Sequence, residues 1–390
     1  KFQLNKGRLG TTQVADLTPS DMKQVPALAL IELTALCDVL DLELKRNKVQ
    51  KRKSAESQLF GVALPSLLIQ DQKLVPDTKV PLILQAIFTC IEKNGMEIQG
   101  ILRISGSQAR IKNLQQRLEK DFYDGLFSWD DVHPHDASGL LKLFLRELPA
   151  PLLTTQYLPA FTAVQNLKQR LQALNLLILI LPEPNRSTLK ALLEFLQKVA
   201  AMEKTNRMSL WNVSTILAPN LFLYHCGKNL ERGEKQLAEG TAASVMAMVH
   251  YQDLLWTVPT FLVTQVRKLN QTSAKKYAFR DRRLRNFLRK IHSDKERSEK
   301  SQTEVKVQPT LWLKETLAVR VDEGTQASDV FQQVNFVFNF SSGSSEYRNL
   351  ALFEVGGNLC ERRLDPDTYL MDLYNVNPNA EWVIKASNSS

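Results

Sequence analysis

From Phe60 to about Phe261, apolar side chains recur at helical spacing, and alternating runs are nearly absent. Near Val305 the period changes to two. A helix buries one stripe and a strand buries alternate residues, so the two stretches predict different folds. The first predicts an all-α domain over residues 59–262. The second predicts a small α+β module over residues 305–386. Residues 1–58 precede them as a helical extension and linker, and residues 263–304 join them as a basic helical linker. A length of 390 residues suffices for two or three cores.

Local signals fill in this plan. Pro19-Ser20-Asp21 opens an amphipathic helix expected to run to about Arg46. Asp77 and Thr78 are candidate caps for an apolar helix from Leu82 to Ile91, which Asn94-Gly95 stops. Ser107 caps the next helix, with Ile111, Leu114 and Leu118 on one face. Asp136 is expected to cap a helix through Arg146 that ends before Pro149. Further helices are expected at 155–165, 168–181, 187–202 and 208–217, the last ended by Ala218-Pro219-Asn220. A basic helix follows over 262–304. Beyond it, Val305–Val307, Leu311–Leu313, Leu317–Val321, Leu350–Val355 and Trp382–Lys385 read as strands, Ala327–Val334 as a short helix, and Ser341–Ser345 as a flexible loop.

Charge is concentrated in one place. The net charge is +9, and residues 267–300 hold 13 Lys or Arg against 4 Asp or Glu, leaving 37 of each sign elsewhere. That segment fits either an acidic lipid or protein face or a solvated linker. Its aromatic content is too thin for a nucleic-acid site. Four cysteines stand far apart with no C-x-x-C, which suits reduced thiols and no metal site. No run is long and apolar enough to span a bilayer, and no signal peptide opens the sequence. A cytoplasmic location is expected, with a peripheral position at membrane or cytoskeleton left open. Lys at position 1 suits a fragment of a longer chain.

The chemistry gathers around Gly100-Ile-Leu-Arg103-Ile-Ser-Gly106. Arg103 falls on a short loop flanked by two glycines and anchored by helices, so a guanidinium there projects with little reorganisation. Alone, such an arginine more often packs its stem on a helix end. Further along, Lys142 and Arg146 stand at i and i+4, where two like charges on one face repel slightly. A face that receives an anionic partner would use them. Asn206, Asn212 and Asn220 recur around the late helix, with Asn212 placed mid-helix, where asparagine is an indifferent former.

Taken together, Gly100-x-x-Arg103-x-Ser-Gly106, Leu140-Leu-Lys142-Leu-Phe-Leu-Arg146-Glu-Leu-Pro149-Ala-Pro151, Asn206-Arg-Met-x-x-x-Asn212 and Ala218-Pro219-Asn220-Leu resemble the Rho GTPase-activating protein family, in the family's order. The resemblance covers roughly residues 60–260. It implies that Arg103 is an arginine finger and that Lys142 and Arg146 support the finger loop and the GTPase-binding surface. It also implies that Asn212 reaches toward the GTPase near its nucleotide, with Asn206 and Asn220 on the same binding surface. His135 matches as well, as a structural hydrogen-bonder. The sequence departs from the family at Gly240-Thr-Ala-Ala-Ser244, where Asn-Pro is often found. The closing residues, Ala351–Asn358, Glu361–Leu364 and Ala380–Lys385, resemble a Ras-associating, ubiquitin-like β-grasp domain.

The resemblance therefore implies an activator of a GTP-bound Rho-family GTPase and not an independent enzyme. No G-x-x-x-x-G-K-[ST] loop is present, so no cofactor is expected, and GTP and Mg²⁺ belong to the partner. The rival is a GTPase-binding scaffold without stimulation, which would do without Arg103. A hydrolase reading lacks a recognisable nucleophile elbow.

Overall fold

The computed structural model describes residues 6–42, 58–153, 164, 166–222, 232–285, 303–308, 316–338 and 350–387. The chain divides into two compact units, Leu30–Leu255 and Lys1–Ala29 with Trp256–Ser390. The segment before the helical domain is thus divided between the two units, whereas the linear plan kept residues 1–58 together.

Helix α1 (Val25–Val39) crosses that boundary. A separate single turn, Pro19–Met22, precedes it, capped by the Thr18 side chain. The long helix expected from Pro19 to about Arg46 is therefore broken at Lys23-Gln24 and ends at Val39, with Asp41 at a left-handed φ of 53° just beyond it.

Among the described residues of 30–255, the regular elements are all helices. The principal elements are α2 (Leu64–Asp71), α3 (Leu82–Asn94), α4 (Gln108–Asp121), α5 (Pro134–Glu147), α6 (Leu167–Ile180), α7 (Glu183–Ala201), α8 (Leu210–Phe222) and α9 (Arg232–His250). The core sits among α3, α5, α7 and α8. Phe88 of α3 stacks on Phe195 of α7 at 4.6 Å, and Phe60 meets Phe144 of α5 edge-on at 6.1 Å. Leu140, Leu141, Phe144 and Leu145 of α5 are all fully buried, which makes this helix the spine of the unit.

Several local expectations are corrected. Helix α3 is not capped by Asp77 or Thr78. Asp77 takes a left-handed φ of 64°, and the Leu82 N–H is met by the Asp71 carboxylate at 2.9 Å. Helix α5 is capped by His133, with Asp136 inside the first turn. Helix α8 runs through Pro219 to Phe222 instead of ending there. The bond that Pro219 cannot donate would go to the carbonyl of Thr215, four residues back, which is exposed to water. The helix expected at 155–165 falls on residues outside the described set, save Val164.

In the other unit, α10 (Thr260–Arg285) leads toward a five-stranded sheet. Its strands are β1 (Thr303–Gln308), β2 (Leu317–Val321), β3 (Leu350–Val355), β4 (Glu361–Arg363) and β5 (Glu381–Ala386). Their order is β2-β1-β5-β3-β4, with β1 and β5 parallel and every other pair antiparallel. Leu352 faces Ile384, and both fall in a core that α11 (Ala327–Phe338) and α12 (Leu370–Val376) complete. Strand β4 and helix α12 were not expected from sequence. The strand expected at Leu311–Leu313, the loop at 341–345 and the end of the basic helix lie outside the described residues.

Residues 6–17 run along this module as a strap. Arg8 lies over the Tyr369 ring at 4.1 Å and pairs with Asp372, and the Tyr369 N–H donates to the Arg8 carbonyl. The Thr11 N–H reaches Asp365, and Leu17 bridges to Arg362.

Candidate functional site

The connection from α3 to α4 holds the site. Gly95 ends α3, and the chain then turns twice through the left-handed region, at Gly100 (φ 73°) and Leu102 (φ 67°). Glycine takes that conformation freely, whereas a leucine there costs about 1 kcal/mol. Complete burial of Ile101 and Leu102 offsets the strain. With those two turned inward, Arg103 and Ile104 turn outward. The Arg103 and Ile104 N–H groups both close back on the Gly100 carbonyl, at 2.9 and 2.8 Å.

Three tethers fix the backbone on either side of Arg103. The Gly100 N–H donates to the Asn206 carbonyl at 2.8 Å. The Lys142 ammonium donates to the Leu102 carbonyl at 2.9 Å. The Ser107 N–H donates to Asp136 Oδ1 at 2.9 Å. The Arg103 side chain itself is exposed, with no hydrogen bond or ion pair among the described residues. A cation so placed is presented and not spent.

Lys142 is half-buried. Burial, and then the neighbouring Arg146 charge, push its ammonium below the ordinary lysine range. Arg146 is exposed one turn further along α5. Both line a groove of about 650 Å³ together with Ser105, Gly106, Lys112 and Asn220. Asn220 is nearly buried, and its amide donates to the Ile216 carbonyl, so it forms groove wall and little surface.

The remaining asparagines divide. Asn212 stands in the first turn of α8, not mid-helix, and its N–H donates to Ser209 Oγ. Its side-chain amide is half-buried and has no partner among the described residues, beside the exposed Trp211. Asn206 is fully buried. Its amide donates to the Met96 and Val199 carbonyls and accepts from the Met208 N–H. The expected partner contact at Asn206 is thereby corrected: it is a brace beneath the Arg103 loop, satisfied within the fold. His135 differs too, because its Nδ1 is buried without a partner. At 240–244, where Asn-Pro was absent, α9 passes unbroken, with the Thr241 and Ser244 hydroxyls bonded back to their own helix.

Two residues of the arrangement had no sequence signal strong enough to find them. Asp136 read as the cap of its own helix, and Arg110 was not singled out. In the structure they pair at 2.6 Å beside the loop. Among the described residues no group of His, Cys, Asp or Glu could hold a metal ion, and no helix is long and apolar enough to cross a membrane.

Comparison with known proteins assigns both parts of the chain to families. Residues 81–225 match the RhoGAP domain family, and residues 304–387 match the RHG40-like, C-terminal ubiquitin-like domain. Human Rho GTPase-activating protein 40 is 54% identical over 99% of this chain and 61% of its own length. Human Rho GTPase-activating protein 18 is 48% identical over 99% of the chain and 60% of its length. Human Rho GTPase-activating protein 28 is 40% identical over 100% of the chain and 56% of its length. The chain thus spans about 60% of the relatives it matches. The arginine loop and its tethers therefore belong to a RhoGAP domain, the five-stranded module is a ubiquitin-like domain of the RHG40 type, and the chain is a homologue of Rho GTPase-activating proteins 40, 18 and 28.

Proposed function

We propose that this chain activates a Rho-class small GTPase in its GTP-bound state by inserting Arg103 into the partner's active site. The observation that carries the reading is the contrast within one loop: backbone tethered at three points, guanidinium unpaired. Hydrolysis of GTP builds negative charge on the transferring phosphoryl group and the bridging oxygen. A planar, permanently charged donor fork meets that charge best when water is excluded and nothing has to reorganise. Lys142 keeps the loop in register through the Leu102 carbonyl, and Arg146, Asn212 and the groove present a surface for docking. GTP and Mg²⁺ come with the partner, so this chain supplies one catalytic side chain in trans and the surface that positions it.

The test is a single-turnover GTP-hydrolysis panel over Rho, Rac and Cdc42 proteins, with the chain and with Arg103→Ala. Stimulation lost in the variant while the GTP-state complex persists supports the proposal. Binding without stimulation by either form would leave a docking scaffold instead.

A further inference from the structure

Asp136 enters the finger reading only as the acceptor of one backbone tether, and its burial and remaining partners give it a larger part. It is 1% exposed, and a first-turn acid ordinarily serves its own helix by meeting the macrodipole. Its oxygens do something else. Oδ1 accepts the Ser107 N–H at 2.9 Å, and the Arg110 guanidinium closes on both oxygens, Nε on Oδ2 at 2.6 Å and Nη2 on Oδ1 at 3.3 Å. The carboxylate of one helix is thus spent on the start of another, four residues after Arg103. Arg110 balances the buried charge from the solvent side, its own side chain being 63% exposed.

Gly106 shows how close the seat is. A methyl group there would run into Asp136 Oδ1 and stand 2.8 Å from both the Asp136 Cα and the His135 carbonyl, backbone atoms with no room to retreat. Gly139, one turn along α5, has the same relation to the Ile111 side chain of α4, so the two helices approach too closely for side chains at both positions. Helix α5 therefore grips the arginine loop at two places with opposite chemistry. Asp136 takes an N–H at the loop's end, and Lys142 gives a hydrogen bond to a carbonyl in its middle.

We infer that Asp136, charge-balanced by Arg110, is the positioning residue that fixes the far end of the Arg103 loop and so sets the finger's aim. The inference rests on the reading of Arg103 as a finger. A misplacement of about 1 Å in such a group costs up to about 100-fold in rate. Removal of the acceptor therefore lowers rate more than affinity.

The experiment uses the 390-residue chain and a GTP-loaded Rho, Rac or Cdc42 protein that it stimulates. Asp136→Ala is expected to lower the single-turnover rate at saturating chain by about tenfold or more, with affinity held within a few-fold. Asp136→Asn, which keeps an oxygen for the Ser107 N–H, recovers most of that rate. In an Arg103→Ala background, Asp136→Ala produces no further loss, because it acts only through the finger. Gly106→Ala strikes the same contact from the loop side and serves if Asp136→Ala fails to fold, thermal melting being the check. Wild-type rate in a folded Asp136→Ala or Gly106→Ala chain overturns the inference, as does equal loss in both backgrounds or parallel loss of rate and affinity. Stimulation that survives Arg103→Ala overturns the finger reading, and this inference with it. Stimulation that needs Arg103 but not Asp136 overturns the inference alone.

Discussion

In the RhoGAP unit Arg103 reaches solvent with its guanidinium unpaired among the described residues, while in the ubiquitin-like unit Arg267 and Arg362 are buried on either side of Glu354. Arg267 grips both Glu354 oxygens and Asn358, Arg362 adds a bond to Oε2 at 3.0 Å, and Asn377 donates to Oε1 at 2.7 Å. Burial alone would raise the Glu354 carboxyl; the Arg267 hydrogen bond and the Arg362 and Arg267 charges outweigh it and hold the group below its ordinary range. Arg362 is lowered by burial against the opposing pull of Glu354, and its Nη2 meets no partner among the described residues. The difference is one of spent against unspent charge. The desolvated arginines are held by a fixed partner that links α10, β3 and β4; the loop arginine is held by its backbone alone, and in the proposed function its charge is kept for the GTPase.

The largest effect belongs to the unspent arginine. Arg103→Ala is expected to lower stimulated hydrolysis by ~10³ or more, a scale borrowed from other arginine fingers, while the melting temperature and affinity change little. Single-turnover kinetics beside a melting curve decide it. A large stability loss would show that Arg103 has a structural partner after all, and would break the contrast.

The spent arginines predict the reverse pattern. Glu354→Ala strands two buried guanidinium groups, and breaking a buried pair in this way costs about 3–5 kcal/mol. The ubiquitin-like unit then melts earlier, and the rate per folded molecule stays as it was. The pH dependence has a definite sign. The Glu354 pKa is depressed in the folded state, so its contribution is complete above the ordinary value of 4.5 and is lost as pH falls through the lower folded value. Acid unfolding of wild type should show this loss and Glu354→Gln should not. An unchanged acid transition would argue against the assignment.

Between these lies Lys142, which donates its bond to the loop and yet stays beside the groove. Lys142→Ala should weaken stimulation by about tenfold to 100-fold and affinity by less. Its proton leaves at a lower pH than an ordinary lysine's, so stimulation should decline earlier on the alkaline side than a standard ammonium would allow. A rate–pH profile with and without Lys142 reads this directly.

The sequence disclosed the unspent arginine better than the spent ones, for a physical reason. Gly100, Arg103, Gly106 and the Ser107 cap are neighbours, and their meaning is local. Lys142 and Arg146 were legible as a like-charge pair on one helix. The change of period at Val305 separated a helical region from a sheet. Contacts between distant positions left no such trace. The Thr11 N–H meets Asp365 across 354 residues, and Arg267 meets Glu354 across 87, so a linear partition kept the N-terminal strap and α10 apart from the module that they join. Asp136 misled because a first-turn acid usually serves its own helix, and here its oxygens went to a neighbour. Asn206 misled because a motif position says that a side chain matters, not whether it faces inward. Strand β4, three residues long, is too short to show alternation.

The smallest predicted effect tests the contrast inside the basic segment. Residues 267–300 supply the chain's whole excess charge, but the buried Arg267 is committed to Glu354 and contributes nothing to an outside surface. Its neighbour Lys268 is exposed. Near an anionic leaflet, each basic side chain that reaches the surface contributes about 1 kcal/mol. Lys268→Ala should therefore weaken binding to phosphatidylserine vesicles about fivefold at low salt, and less at physiological salt, where screening shortens the reach of the charge. Flotation of the 390-residue chain at both salt concentrations measures it. Salt-sensitive binding that drops with Lys268→Ala identifies the segment as a second store of unspent charge, separate from the arginine loop. No binding at low salt would make the segment a solvated link, its charge without a part in holding the chain to an anionic leaflet.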